Sequence, residues 1–431
     1  MIVLSLTAAL ASGTAVLRAS GARGAFAVAA GVVLGLSLSG AAWSAGLLLF
    51  GATDAGADLL LLGLAALLWW RFHRPAPQPT HERAPLLLVA ACVAAAAVVA
   101  ALFVEHSIRY PDGGWDAVAI WNLRARALFA APHDLGLVFT PELPHPDYPP
   151  LLPALVAHGW FALSSRTPAV PIAISFLFGA AGVVALAAAV GERRGPALGL
   201  AAALLLLGTP KLLTLATNQY ADLKLAMLVL VAVVLASQER FAAAGLTAGL
   251  GAFAKNEGLE LFAVLLLAVW MTSGLRAALR LLAGAALPLA LLLYFKQRWA
   301  PQNDLVAQTT LVGLLRRAPA RVGIVLLGFA GQVVDFGAWG CTLPFVLLAW
   351  IARWPQRERG TLSARFSALA LLPAFGVFLA TYWDPVEHMA SALDRLIFQL
   401  WPSIIYATAI ALSPAATPEA AVLRRSVADP A

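Results

Sequence analysis

The chain has 431 residues, 61% hydrophobic and only 12% charged, with mean hydropathy +0.83. Soluble domains carry roughly 25% charged residues, so this composition excludes a soluble globular protein. The net charge of +7 does not point to nucleic acid, because the basic residues sit in short loops between apolar runs and form no contiguous face.

Taken in chain order, apolar stretches long enough to cross a bilayer recur, for example Phe26–Phe50, Pro85–Val104, Ala169–Val190 and Pro196–Leu215. They are Ala/Leu/Gly/Val-rich and do not alternate, which predicts helices and argues against an outer-membrane barrel. The first seventeen residues lack a basic leader and a cleavage signal, and read as a retained first span. Cys92 and Cys341 are far apart and give no disulfide framework or metal spacing.

Loop charge sets the threading. Arg18, Arg23, Arg71, His73, Arg74, Arg83, Arg193, Arg194, Arg240, Arg276, Arg280, Arg353, Arg357, Arg359, Arg424 and Arg425 fall in loops that alternate with acidic ones. Placing them all in the cytoplasm leaves Asp54, Asp116, Asp222, Glu257, Asp304 and Asp384 outside. The expected fold class is an all-α polytopic membrane protein, with about thirteen transmembrane helices, an outer N-terminus and juxtamembrane helices on the outer face. Residues 1–84 hold three N-terminal helices, 85–295 a transmembrane core with an outer loop at 105–168, 296–340 a second outer loop, and 341–431 the last helices and a cytoplasmic tail. Tyr148–Leu163 and Val322–Phe336 are apolar enough to span, but crossing at the first would invert every later loop. Both are therefore placed on the outer surface.

Five segments look chemical. In Pro111–Phe129 a helix follows the Gly113–Gly114 break. Its face of Val118, Trp121, Ala125, Leu128 and Phe129 is expected in lipid, with Arg124 and Arg126 on the flanks and Asp116 turned to the protein. Alternatively, Asp116 only caps the helix. In Leu143–Pro153, His145, Asp147 and Tyr148 precede a proline-started helix, a corner with or without a further role. Asp222 and Lys224 lie where a polar segment, Thr217–Lys224, becomes an apolar span. Lys255 and Glu257 sit between two spans and either pair with each other or serve a ligand. Asp394 and Arg395 open the final span, where an outward cation defies the positive-inside trend and suits a phosphate unless Asp394 neutralises it. No Walker loop, dinucleotide fingerprint, zinc-protease motif or nucleophile elbow occurs.

In this order the features resemble the GT-C superfamily of membrane glycosyltransferases, and among bacterial members the protein O-mannosyltransferase and aminoarabinose-transferase-like enzymes. The resemblance covers roughly Pro85 to Phe295, and the C-terminal third loosely. It rests on an acidic residue in the first outer loop (Asp116), an acidic residue two positions before Pro-Pro (Asp147), a second outer Asp (Asp222), and a glycine-spaced span, Gly245–Lys255, ending in lysine. Asp116 lacks the adjacent Glu of many relatives, and Lys224 replaces a residue that is commonly Pro.

The resemblance implies a multi-pass protein of the bacterial inner membrane with a periplasmic active site. The donor is a sugar on a polyprenyl phosphate, drawn from the membrane lipid. The acceptor is an envelope glycan, lipid or protein, and nucleic acid is not a partner. Asp116 would be the catalytic base with Asp222 beside it, and Lys255 would meet the donor phosphate. From the residues themselves, Arg395 joins Lys255 there, and a single displacement would invert the anomeric carbon. Asp147, His145, Tyr148, Glu257 and Arg124 complete the expected substrate site. A divalent cation between Asp116 and Asp222 is an option that no ligand spacing demands. The rival class is a multispan transporter or flippase, which places ionisable groups nearer the bilayer midplane.

Overall fold

The computed structural model describes residues 1–51, 55–72, 83–300, 311–352, 361–381 and 383–412, apart from the side chains of Leu311, Leu314 and Leu315. Asp54, His73, Arg74, Asp304, Arg353, Arg357, Arg359, Arg424 and Arg425, on which part of the charge threading rests, lie outside the described residues.

Helices α1 (Ile2–Ala19), α2 (Gly24–Phe50), α3 (Gly56–Phe72) and α4 (Leu86–Arg109) come first. A π-helical turn (Ala117–Trp121) then runs into α5 (Asn122–Ala130), followed by the short α6 (Leu135–Val138) and by α7 (Leu151–Leu163). Next are α8 (Ala169–Arg194), α9 (Pro196–Leu207), α10 (Pro210–Thr217), α11 (Ala221–Ser237), α12 (Phe241–Ala254), α13 (Asn256–Ser273) and α14 (Leu275–Arg298). The last are α15 (Leu311–Gln332), α16 (Phe336–Trp339), α17 (Thr342–Ala352), α18 (Leu362–Ala380) and α19 (Pro385–Leu412). No strand occurs among the described residues.

The chain is an all-α, multi-pass membrane protein. Among the described residues, eight helices are long and apolar enough to cross a bilayer, or nine if α9 and α10, bent by 61° at their junction, count as one. That is fewer than the thirteen expected. Helices α3 and α11, of 17 residues each, and the shorter α12 and α17 fall below that length. Apolar composition was readable along these segments; the points where polar side chains and turns cut them short were not.

The helices share two ends. At one, arginines grip backbone carbonyls of neighbouring helices and loops. Arg240 Nη2 donates to Gly21 O at 2.6 Å, Arg193 Nη2 to Ser237 O at 3.1 Å, Arg194 Nη2 to Ile410 O at 2.8 Å and Arg365 Nη1 to Met271 O at 2.7 Å. Cations near helix C-termini satisfy orphan carbonyls and complement the dipole. The other end holds the loop 110–150, the start of α11, the α12–α13 joint and the start of α19.

Helix α11 is the axis of the bundle: every residue from Ala221 to Ala236 is buried. Helices α12 and α14 touch backbone to backbone. A Cβ on Gly245 would lie 1.8 Å from Leu281 O, and one on Gly284 1.9 Å from Ala242 O. Small residues permit this close approach, the usual source of helix association in lipid. The glycine-spaced span of the sequence thus has a packing role, and it fixes the height at which Lys255 emerges.

Near the opposite edge, a buried polar knot ties the N-terminal helices to α7. Asp58 Oδ2 accepts from Ser5 Oγ at 2.6 Å and meets His158 Nε2 at 3.1 Å, while His158 Nδ1 meets Ser39 Oγ at 3.1 Å. Helix α7 has nine buried residues and is shorter than a span. Helix α15 packs on α18 and α19, with Arg321 Nη2 donating to Trp383 O at 3.3 Å.

Overpacking a tight contact costs about 1–3 kcal/mol. Gly245→Ala is expected to lower the midpoint of thermal unfolding in detergent, whereas Gly376→Ala, with nothing within 4 Å of its Cβ, leaves it unchanged.

Candidate functional site

Two loops distant in sequence are stitched together before any charge is placed. Gly113 has φ +78°, and a Cβ there would lie 2.8 Å from Asn218 O. Only glycine tolerates both the conformation and the contact. Gly114 N–H donates to Asn218 O at 3.1 Å, and Gln219 Nε2 to Pro111 O at 2.9 Å. Asn122 Nδ2 donates to Gln219 Oε1 at 2.8 Å. This backbone clasp sets Asp116 beside Asp222.

Arg395 of α19 joins the two carboxylates. Its Nη2 lies 2.5 Å from Asp116 Oδ2 and 3.0 Å from Asp222 Oδ2, and its Nε donates to Asp222 at 3.3 Å. The guanidinium lies 4.7 Å above the Tyr220 ring, a cation–π contact. Asp222 is wholly buried, and its other oxygen accepts from Lys255 Nζ at 2.8 Å and Gln399 Nε2 at 2.7 Å. Lys255 also pairs with Glu257 at 2.7 Å. Three carboxylates therefore face two cations. Glu257 Oε2 is buried without a hydrogen-bond partner among the described residues.

A second cluster lies alongside. Asp147 Oδ2 accepts from Asn256 Nδ2 at 2.6 Å and pairs with Lys296 Nζ at 3.2 Å. Lys296 also donates to Asp147 O at 2.5 Å and Asn256 Oδ1 at 2.9 Å. Lys255 adopts extended backbone between α12 and α13, so consecutive side chains diverge: Lys255 serves the first cluster and Asn256 the second. Tyr148 stands between them in a ring stack, 5.2 Å from Trp121 and 4.8 Å from His145. Burial and the Glu257 carboxylate push its phenol well above the usual value, so it remains a proton donor. Arg124 Nη2 holds the corner by donating to Pro144 O and His145 O, each at 2.6 Å. Burial lowers the Arg124 guanidinium to about 10, partly offset by the Asp147 charge, so at neutral pH it is still a cation.

The structure thus brings Asp116, Asp222, Lys255, Glu257 and Arg395 into one cluster, with Asp147, His145, Tyr148 and Arg124 beside it. Several expectations change. Trp121, Ala125 and Leu128 do not face lipid; they are buried within the protein, because α7 packs on that side of α5. Arg124, read as a flanking residue, is buried with them. Asp116 makes no capping bond. Asp394 does not neutralise Arg395; it pairs with Lys211 of α10. Asp384 caps α19 by accepting from Val386 N at 2.9 Å and Glu387 N at 3.1 Å. Lys224 turns away to Ser175 and the Tyr220 carbonyl. The position between Asp116 and Asp222 that a shared divalent ion would take is held by the Arg395 guanidinium. Among the described residues no group of three or more His, Cys, Asp or Glu side chains is arranged to hold a metal.

Gln399, Tyr220, Asn256 and Lys296 were not foreseen. Gln399 had a signal, four residues after Arg395 and so on the same helix face. Lys296 had another, a cation at the acidic end of its helix. Neither a family model, nor a curated protein, nor a solved structure matches the chain.

Removing one partner of a buried ion pair typically costs roughly 3–5 kcal/mol. Arg395→Ala is expected to lower the thermal midpoint sharply, and adding Asp116→Asn to recover part of the loss. Absence of any recovery in the double variant contradicts the pairing.

Proposed function

We propose that this chain is a membrane glycosyltransferase of GT-C type that moves a sugar from a polyprenyl-phosphate donor to an envelope acceptor on the outer face of the bacterial inner membrane. The carrying observation is the convergence of Asp116, Asp222, Lys255 and Arg395 at one end of the bundle, from four separate elements. This is the residue set that such a transfer requires: a base for a hydroxyl and cations for a leaving phosphate.

In the proposed reaction the acceptor hydroxyl sits against Asp116. Its oxygen forms a bond to the anomeric carbon as the bond from that carbon to the phosphate oxygen breaks. The electron pair of the broken bond stays on the phosphate, the hydroxyl proton goes to Asp116, and the anomeric centre inverts. Arg395 and Lys255 stabilise the charge that develops on the phosphate. Asp222, with Gln399, holds both cations in position. The Trp121–Tyr148–His145 stack offers a flat face for a sugar ring, and Arg124, Asp147 and Lys296 fix the corner that carries it. A narrow cleft lined by Glu257, Glu260, Leu261, Pro373, Leu396 and Gln399 lies between α13, α18 and α19 beside the cluster.

The bend between α9 and α10 is the feature that most favours a transporter or flippase. Its break is filled by side chains: Thr209 Oγ1 meets Thr342 Oγ1 at 3.1 Å and accepts from Trp401 Nε1 at 2.9 Å. The charged groups gather at one end of the bundle and not at its middle, which supports the transferase.

The threading completes the proposal. The eight long helices, the bent pair, α3, α11, α12 and α17 together make about thirteen passes, with the site outside. In a background carrying Cys92→Ala and Cys341→Ser, Asp112→Cys is expected to react with an impermeant maleimide from outside, and Arg276→Cys only after permeabilisation. The opposite pattern removes the outer-face assignment.

For the chemistry, purified protein in nanodiscs is expected to bind farnesyl phosphate in preference to farnesol. Arg395→Gln should weaken that binding about tenfold or more. With membranes containing lipid-linked sugars, Asp116→Asn should abolish transfer while the protein stays folded. Equal binding of the phosphate and the alcohol, or full turnover in the Asn variant, refutes the reading.

A further inference from the structure

Within the glycosyltransferase reading, one feature of the cluster stands out: the cations assigned to the phosphate already have partners. Arg395 gives Nη2 to both Asp116 and Asp222 and Nε to Asp222. Lys255 is held by Asp222 and Glu257. The five groups carry one surplus negative charge. Tyr220 and Tyr148 contribute only neutral phenols, and the neighbouring Lys211 is occupied by Asp394. Alongside, Arg124 and Lys296 outnumber Asp147 by one, so the surplus is local to the five groups. A phosphate reaching Arg395 there meets Asp116 and Asp222 already on it, which a weakly screened site opposes. Either the anion is repelled or a carboxylate gives way.

The two carboxylates are not equally able to give way. Asp222 is wholly buried and fixed by Arg395, Lys255 and Gln399. Asp116 stands just before a π-helical turn and behind a glycine pair, makes no capping bond, and is held through its side chain by Arg395. Arg395 itself lies on the Tyr220 ring, a flat surface over which a guanidinium can shift while keeping the contact.

We infer that Asp116 is a built-in competitor of the donor phosphate for Arg395, so that the base is masked by its arginine until the donor draws that arginine away. The order of events follows. Without donor, Asp116 is neutralised by Arg395 and is a poor base. With donor, Arg395 turns to the phosphate, and Asp116, now an unpaired carboxylate next to Asp222, gains affinity for the acceptor's proton. During transfer the proton reaches Asp116 while the leaving phosphate gains a negative charge, so the total charge of the site stays constant. Arg395 follows the negative charge from aspartate to phosphate. The donor therefore binds before the acceptor is activated.

This competition has a consequence that a plain catalytic base does not. Neutralising Asp116 in shape-preserving form should improve phosphate binding even as it destroys transfer. The test is a double-mutant cycle in nanodiscs, read as the dissociation constant of farnesyl phosphate with farnesol as reference. Asp116→Asn is expected to bind farnesyl phosphate about tenfold more tightly than the parent, and Asp116→Ser to do the same should the amide form a new bond with Arg395. In the Arg395→Gln background, adding Asp116→Asn should produce no tightening. Unchanged or weaker binding in both Asp116 variants overturns the competition and leaves the donor site standing, as does tightening that persists without Arg395. If the parent protein does not distinguish farnesyl phosphate from farnesol, the donor site itself falls, and the competition with it.

Discussion

Asp222 is a carboxylate placed at the head of the most deeply buried helix of the bundle, and the rest of the site is organised around the cost of putting it there. A buried ionised group is tolerated only when paired and hydrogen-bonded. Asp222 is met from three directions, by Arg395 and Gln399 of α19 and by Lys255 at the α12–α13 joint. Those partners dictate where α19 must lie and where α12 must end. Asp116 then enters on the remaining face of Arg395. Shape complementarity of the helices sets the frame, and this one charge decides which ends of them meet.

The frame itself depends on small residues more than on large ones. Gly245 and Gly284 let α12 and α14 approach until backbone touches backbone, and Gly113 lets the loop 110–150 close on Asn218. In a lipid environment apolar surface alone does not drive helices together. Close backbone contact and buried polar links such as Asp58–His158 supply what the hydrophobic effect would supply in water.

Much of this was legible in the sequence, and the boundary of legibility is physical. Helical class and the segregation of basic from acidic loops follow from composition and periodicity. Asp116, Asp222, Lys255 and Arg395 stood out because an ionisable group in an apolar chain is costly and demands a reason. Their partners were harder to read. Glu257 was a correct neighbour for Lys255, but sequence adjacency suggested Asp394 for Arg395, and the partner of Asp394 is Lys211 from another helix. The direction of the α5 face was misread because a hydrophobic stripe fits lipid or protein equally well, and only the position of α7 decides. The break at Lys255 was legible as a joint between two spans, whereas its extended backbone, which sends Lys255 and Asn256 to different clusters, was not.

The pairing also governs how the molecule can be made. A chain emerges from its N-terminus, and the groups of the cluster are born far apart in time. Asp222 waits only 33 residues for Lys255. Its contact with Arg395 needs 173 residues, and Asp116 needs 279 before its cation exists. Until the last helix is in place, the early bundle carries a loop with an unanswered acid, Asp116, and a half-neutralised central helix. Contacts that join such remote segments form late and slowly. Helix α19 is therefore the closing piece of assembly: a bundle without it leaves Asp116 and Asp222 without their arginine.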